Sequence, residues 1–252
     1  MTTKLYIDHD FIQAGITLKN EQIPDNNNMA LHCCDLPQEV LMNRQRLAKS
    51  LQIDLQQLVV ANQTHSATIY KVVDTDKGRG ALSVKDAIAD TDALYTFEKN
   101  IMLGIFTADC VPVIFHEPSR GLIGVIHSGW QGTIQEISSA VMHHLITIEQ
   151  IDPQLLHVHL GRALSQDKFE VDYDVFEKFE ALGYAEPFMY YKEETDKYHI
   201  DNQLVVKRQF ERAGVPSTQI TVDATCTFLH DDGFSYRQNR ADGRHMTFIR
   251  RK

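Results

Sequence analysis

The chain has 252 residues, with 34 acidic against 25 basic side chains and a formal net charge of −9. With no basic stripe or arm, this balance argues against binding to nucleic acid or to an anionic membrane. A hydrophobic content of 43% supports a sizeable core, and no linker rich in Pro, Ser or Gly divides the chain, so residues 1–252 are expected to form one domain. The start, MTTKLYIDHDFIQAG, is charged where a signal peptide is apolar, and no stretch approaches the ~20 apolar residues of a membrane helix. Cys33, Cys34, Cys110 and Cys226 form no CxxC pair. Reduced thiols in a cytoplasm are the simple expectation.

In chain order, residues 4–31 predict short strands and a loop broken at Pro24. DLPQEVLMNRQRLAKSLQ predicts a helix capped by Asp35, with Pro37 in its first turn. Asn43 and Arg44 fall on its apolar face with Val40 and Leu47. Arg44 either snorkels to the edge or aims a guanidinium into a cleft to hold an anion. LQQLVVANQTHSATIYKVV reads as two strands around a polar break holding His65. Residues 73–91 read as a mobile polar loop.

The stretch Ile101–Thr133, IMLGIFTADCVPVIFHEPSRGLIGVIHSGWQGT, organises the chain. It predicts three strands, apolar on both faces and so covered on both sides. Cys110 and His127 stand at strand ends, where α/β folds often build sites. Thr133 and Glu136 predict a capping box for a helix over TIQEISSAVMHHLITI, so that Ser128–Gly132 feeds a helix start that either binds an anion or only turns. LLHVHLG predicts a strand whose His157 and His159 share a face. KFEVDYDVFEKFEAL turns from strand to helix, and IDNQLVVKRQFERAGV is an amphipathic helix. QITVDATCTFL predicts a strand with Cys226 in the core. The tail FSYRQNRADGRHMTFIRR predicts a hairpin around Ala241–Asp242–Gly243, with Arg237, Arg240 and Arg244 either solvated or completing an anion site.

Two histidines and a cysteine after apolar strands fit a catalytic zinc, which takes three protein ligands and keeps a fourth position open. A Cys–His hydrolase with Cys110 as nucleophile and His127 or His65 as base is the rival. A buried, unreactive cluster is a third reading. Copper is disfavoured, because a multicopper oxidase draws on repeated HxH pairs, whereas this chain has one HxH and no His beside Cys110.

NQTHS around His65, DALYT from Asp92, TADCVPVIF around Cys110 and HSGWQGT from His127 resemble the YfiH family. So do HCCD with NRQRL at 32–47, FEV at 169–171, DATCTF at 223–228 and FSYRQNRADGR at 234–244. The family is also called the laccase-domain, multicopper polyphenol oxidase or peptidoglycan editing factor family. The resemblance implies an α/β (α+β) fold, a layered sandwich of mixed β-sheets flanked by helices, similar to cytotoxic necrotizing factor-like toxin domains. It implies a Zn2+ on His65, Cys110 and His127. It implies purine nucleoside phosphorylase activity on adenosine, inosine and methylthioadenosine, with adenosine deaminase side activity. Arg44 would hold phosphate for attack on the ribose C1′, and Gln63, Asp109 and Trp130 would contact substrate. The expected partners are a nucleoside and phosphate, and the expected state is a monomer or weak dimer. A peptidoglycan-precursor hydrolase and a non-catalytic zinc-bound interaction domain are the alternatives. The chain departs from the family where S-x-R-x-G-G-V-S becomes AGITLKNEQ, at Cys34 and Gln131, and at Arg162, which replaces the proline of G-P-A. These departures predict an altered wall of the substrate pocket.

Overall fold

Three apolar runs in mid-chain alternate between two cores, which is why they read as apolar throughout. In the computed structural model, which describes residues 2–252, the strands in chain order begin with β1 (Thr3–Asp8), β2 (Ile12–Thr17), β3 (Leu58–Val60), β4 (Ile69–Lys71) and β5 (Ala93–Thr96). The three mid-chain runs follow as β6 (Met102–Thr107), β7 (Val111–Glu117) and β8 (Leu122–Ser128). Then come β9 (His157–Leu160), β10 (Glu170–Val171), β11 (Met189–Lys192), β12 (Lys197–Ile200), β13 (Ile220–Val222) and β14 (His245–Arg251). The helices are α1 (Pro37–Ser50), α2 (Trp130–Ile134), α3 (Ile137–Thr147), α4 (Tyr173–Glu180) and α5 (Asn202–Arg212).

The strands form a five-stranded sheet in the order β1-β2-β14-β6-β3, a six-stranded sheet in the order β13-β9-β7-β8-β5-β4, and a small sheet in the order β10-β12-β11. The two large sheets face each other. Leu103 and Ile105 of β6 and Ile249 of β14 pack with Ile114, Ile123 and Val125 of β7 and β8. The alternate residues face outward, as the two-residue period of a strand requires. Met102 and Phe106 meet Leu47 and Leu51 from α1 and the turn after it. Val113 and Phe115 meet Val141 and Leu145 of α3 and Phe210 of α5. Each such side chain contributes about 1.5–3 kcal/mol by leaving water. Gly124 is required by space: it pairs with Phe115 across the strands, and an added Cβ would stand 2.0 Å from that ring. The result is a layered sandwich of mixed sheets flanked by helices, as expected.

Several local expectations give way to tertiary bonds. The helix after His127 is broken in two, because Glu136 adopts the left-handed region at φ 56°. The capping box does not form. Thr133 Oγ1 instead pairs with Ser128 Oγ and donates to Gly129 O. Asp35 does not cap α1, which starts after Leu36 with no side-chain cap bond. β13 ends at Val222, and Cys226 lies beyond it, in a single bridge to Ala163. The tail forms no hairpin: 234–244 is irregular, because the Ser235 hydroxyl and the Arg237 N–H bond the Asp109 carboxylate rather than a partner strand. Residues 73–91 are organised by buried Asp76, which accepts from Val73 N, Tyr70 Oη and Arg79 Nη1. Among the described residues no helix is long and apolar enough to cross a membrane.

Candidate metal centre

The two large sheets are joined at one end by crossovers, two of which carry the loops of the site. The chain crosses from β3 to β4 through a loop carrying Gln63 and His65, and from β6 to β7 through a loop carrying Asp109 and Cys110. His127 is the penultimate residue of β8, paired across from Pro112 beside Cys110. Both crossovers bend through the left-handed region, at His65 (φ 61°) and Asp109 (φ 81°), conformations that cost energy in non-glycine residues and concentrate at functional sites. The donor atoms of His65, Cys110 and His127 all lie within 4.8 Å of one another, with Cys110 Sγ 3.9 Å from His65 Nε2. Gly129 closes the floor. A Cβ there would stand 2.6 Å from His65 Cδ2 and 3.0 Å from Cys110 Sγ, so this glycine makes room for the triad as well as turning the chain.

Asp92, at the entrance to β5 and fully buried, holds the triad from behind. Its Oδ1 lies 2.7 Å from His127 Nδ1. Its Oδ2 accepts from Thr64 N, Ser66 N and Ser66 Oγ at 3.1, 2.7 and 2.9 Å. One carboxylate therefore fixes His127 and both neighbours of His65. Nδ1 of His127 is thereby committed, which leaves Nε2 for a metal, the carboxylate–histidine arrangement of many metal sites. Burial works against ionising Cys110, yet His127 and His65 hold its thiol below the usual range. His127 is raised above the usual imidazole range against its own burial, by Cys110 and Asp92. The donor set, two imidazoles and a thiolate with a carboxylate behind one ring, fits a zinc ion and leaves a fourth position open. A bound ion of this kind would supply Lewis-acid polarisation at that open position.

The triad opens into a cavity of about 960 Å³. Its wall also carries Gln63, Asp109 and Trp130, the other residues expected to contact substrate. Two of these are held by protein. The Gln63 amide makes a two-way bond with Phe106, Nε2 to O at 2.8 Å and N to Oε1 at 2.7 Å, tying the crossovers together. Asp109 accepts from Thr227 Oγ1, Ser235 Oγ and Arg237 N. Trp130 packs in the apolar cluster of α4 and the small sheet, with Lys178 over its ring.

Arg44 departs from expectation. It is 2% exposed, does not line the cavity, and donates to the carbonyls of Met29, Gly80 and Ala81 at 2.7–2.8 Å. It braces the layer behind Phe106, over whose ring its guanidinium lies. The arginines on the cavity wall are Arg237, Arg240 and Arg244, from the irregular tail. The expected change of the pocket wall by the N-terminal segment is also corrected. AGIT lies in or next to the paired part of β2, and neither that segment nor Gln131 nor Arg162 lines the cavity. Arg162 instead bonds Asp232 at 2.6 Å and lies 3.5 Å from Asp223. Among the described residues the HxH pair joins no metal-ligating cluster: His157 stacks on His116, and the His159 ring meets Tyr6 at a 39° tilt. Missing from the sequence reading was the role of Asp92, whose only signal was its place at the head of DALYT.

Fold and site together define a layered α/β protein with a His–Cys–His group that could hold a metal ion at one end of its sheets. The chain belongs to the multi-copper polyphenol oxidoreductase laccase family, whose model matches residues 15–252. It is similar to purine nucleoside phosphorylase YlmD of Bacillus subtilis (strain 168), with 33% identity over 94% of this chain and 87% of that protein. It is also similar to purine nucleoside phosphorylase YlmD of Geobacillus stearothermophilus, with 35% identity over 89% and 83%. Among solved structures, the hypothetical protein YfiH of Bacillus licheniformis superposes with a TM-score of 0.92 at 32% identity, over 98% of this chain and 99% of that one. The Neisseria meningitidis protein NMB0706, at 24% identity and a TM-score of 0.82, shares the fold.

Proposed function

We propose that this chain is a zinc-dependent purine nucleoside phosphorylase acting on adenosine-type nucleosides. The observation that carries the reading is a three-donor centre opening on a cavity whose wall also bears arginines. The names of its relatives agree with it. Zinc rather than copper suits the donors, since among the described residues one cluster of three gathers, whereas multicopper chemistry draws on several. Four free cysteines suit a reducing cytoplasm. In this reading His65, Cys110 and His127 hold the ion, and Asp92 keeps His127 in the tautomer that can bind it. Arg240 and Arg244 gather the phosphate as a charge-assisted pair. Trp130 and Phe106 wall the nucleoside off from water. Arg44 acts only through the layer that carries Phe106.

The test incubates metal-analysed protein with adenosine, with and without phosphate, and separates products by chromatography. Phosphate-dependent release of adenine with about one zinc per chain is expected. Inosine formed without phosphate would show deamination as the main activity. Cys110→Ala is expected to lose zinc and phosphorolysis together, and full activity in a zinc-free variant would sink the metal centre.

A further inference from the structure

We propose that the ring of Tyr236 is the platform on which the base of the nucleoside stacks. This rests on the nucleoside reading above. An aromatic ring gains by leaving water, yet Tyr236 is 48% exposed. Among the described residues with large exposed apolar side chains, it alone lines the cavity. The other aromatic rings of the wall have largely used their surface. Phe106 and Phe169 are buried, and Trp130 packs in an apolar cluster with Lys178 over its ring. The Arg244 guanidinium lies over the Tyr236 ring, 5.6 Å from its centre, and so attends to one face as a cation–π partner. The open surface of the ring is left for a second flat group.

The backbone beneath that ring is fixed relative to the metal centre. On one side Ser235 Oγ donates to Asp109 Oδ2 at 3.1 Å, and on the other the Arg237 N–H donates to the same oxygen at 2.7 Å. Asp109 immediately precedes Cys110. The Arg237 guanidinium also holds Glu170 O. Tyr236 is thereby clamped at both neighbours to the loop that carries a candidate metal ligand, although its own segment forms no regular element. A ring placed on a fixed backbone loses little freedom when a ligand arrives. Stacking on it tolerates any base, because every base has a π-face, and the gain grows with the number of atoms in contact. The two fused rings of a purine therefore gain more than the single ring of a pyrimidine, and adenosine and inosine gain alike.

The experiment measures KM for adenosine, inosine and phosphate in the wild type, in Tyr236→Leu and in Tyr236→Phe, with zinc content as the check on folding. Tyr236→Leu is expected to raise both nucleoside KM values about tenfold and to leave the phosphate KM and zinc content as they are. Tyr236→Phe, which restores the ring without the hydroxyl, is expected to recover most of that loss. A ring that only seats Arg244 would raise the phosphate KM as well, and a hydroxyl contact would make Tyr236→Phe as poor as Tyr236→Leu. Either result, or nucleoside KM values that do not move, overturns the platform. If Tyr236→Leu does not fold, Tyr236→Ala gives the same readout. If the wild type turns over neither nucleoside, the phosphorylase reading fails separately, and the comparison passes to calorimetric binding of adenine. Adenine held by the wild type and Tyr236→Phe but about tenfold more weakly by Tyr236→Leu upholds the platform. Equal binding in all three, or none in the wild type, overturns it.

Discussion

Asp92 uses two oxygens to take four hydrogen bonds, from His127 Nδ1, Thr64 N, Ser66 N and Ser66 Oγ. In Asp92→Asn the new amide must turn an NH2 toward either His127 or the Thr64 and Ser66 N–H groups, and either choice breaks the set. We expect zinc affinity to fall by about 10–100-fold, measured by competition with a chelator. Unchanged affinity would mean that the His65 loop holds its own shape. Arg44 makes the opposite kind of prediction. Its three carbonyl partners are buried, so Arg44→Met leaves them unpaired and is expected to cost about 3 kcal/mol in urea unfolding. Zinc content and the KM for phosphate should stay as in the wild type. A raised phosphate KM at unchanged stability would restore direct anion binding by Arg44. The helical spacing placed Arg44 on the apolar face correctly. It could not say what lay opposite, because Gly80 and Ala81 come from a loop 36 and 37 positions away.

At the scale of elements, β14 joins the core to the tail. It lies between β2 and β6, and its first residue, His245, is fully buried. Nδ1 donates to Thr17 O at 2.6 Å, and Nε2 accepts from Phe234 N at 2.7 Å. Both nitrogens are satisfied only in the neutral ring, and burial pushes the pKa down to about 4. The folded pKa lies below the unfolded value of about 6.5. The stabilisation is therefore complete above that unfolded value and is lost as pH falls toward the folded one. We expect unfolding free energy to decline from about pH 6.5 to about pH 4, and His245→Gln to remove its share of that slope, up to about 1.4 kcal/mol per pH unit. An identical slope in the variant would assign the acid sensitivity to His32, His116 and His159, which burial also lowers to about 4. Strands buried on both faces were legible as runs of apolar residues. The tail was not, since a turn-forming triplet between polar stretches looks like a hairpin whether its N–H groups go to a strand or to a carboxylate such as Asp109.

At the scale of the molecule, the site exists because two crossovers between facing sheets emerge at one end. His65 and Cys110, 45 positions apart, become neighbours there, and the tail brings its arginines to the same cavity. These arginines are not equivalent. Arg237 donates both terminal nitrogens to Glu170 O, and Arg244 bonds the carbonyls of Asp242 and Gly243. Arg240 is exposed and makes no hydrogen bond or ion pair among the described residues, so its whole guanidinium is free to meet an anion, whereas Arg244 keeps only the N–H groups not spent on those carbonyls. Arg240→Ala is expected to raise the KM for phosphate about tenfold, with zinc content and stability unchanged. A KM that does not move would leave the phosphate to Arg244.

The amino-acid pattern by itself determined the buried strands and the amphipathic α1 and α5, and it singled out the three side chains whose donor atoms gather within 4.8 Å. Each of these depends on local period or on a short motif, and both are written in consecutive residues. Only the tertiary structure decided that Asp92 stands behind His127, that Arg44 is a brace, and that Gln63 and Asp109 hold the chain. Those outcomes depend on which distant carbonyl or N–H a polar side chain meets. Hydrogen bonding is short-ranged and directional, so a residue's chemistry shows what it can bond, and the packing of the two sheets selects the partner.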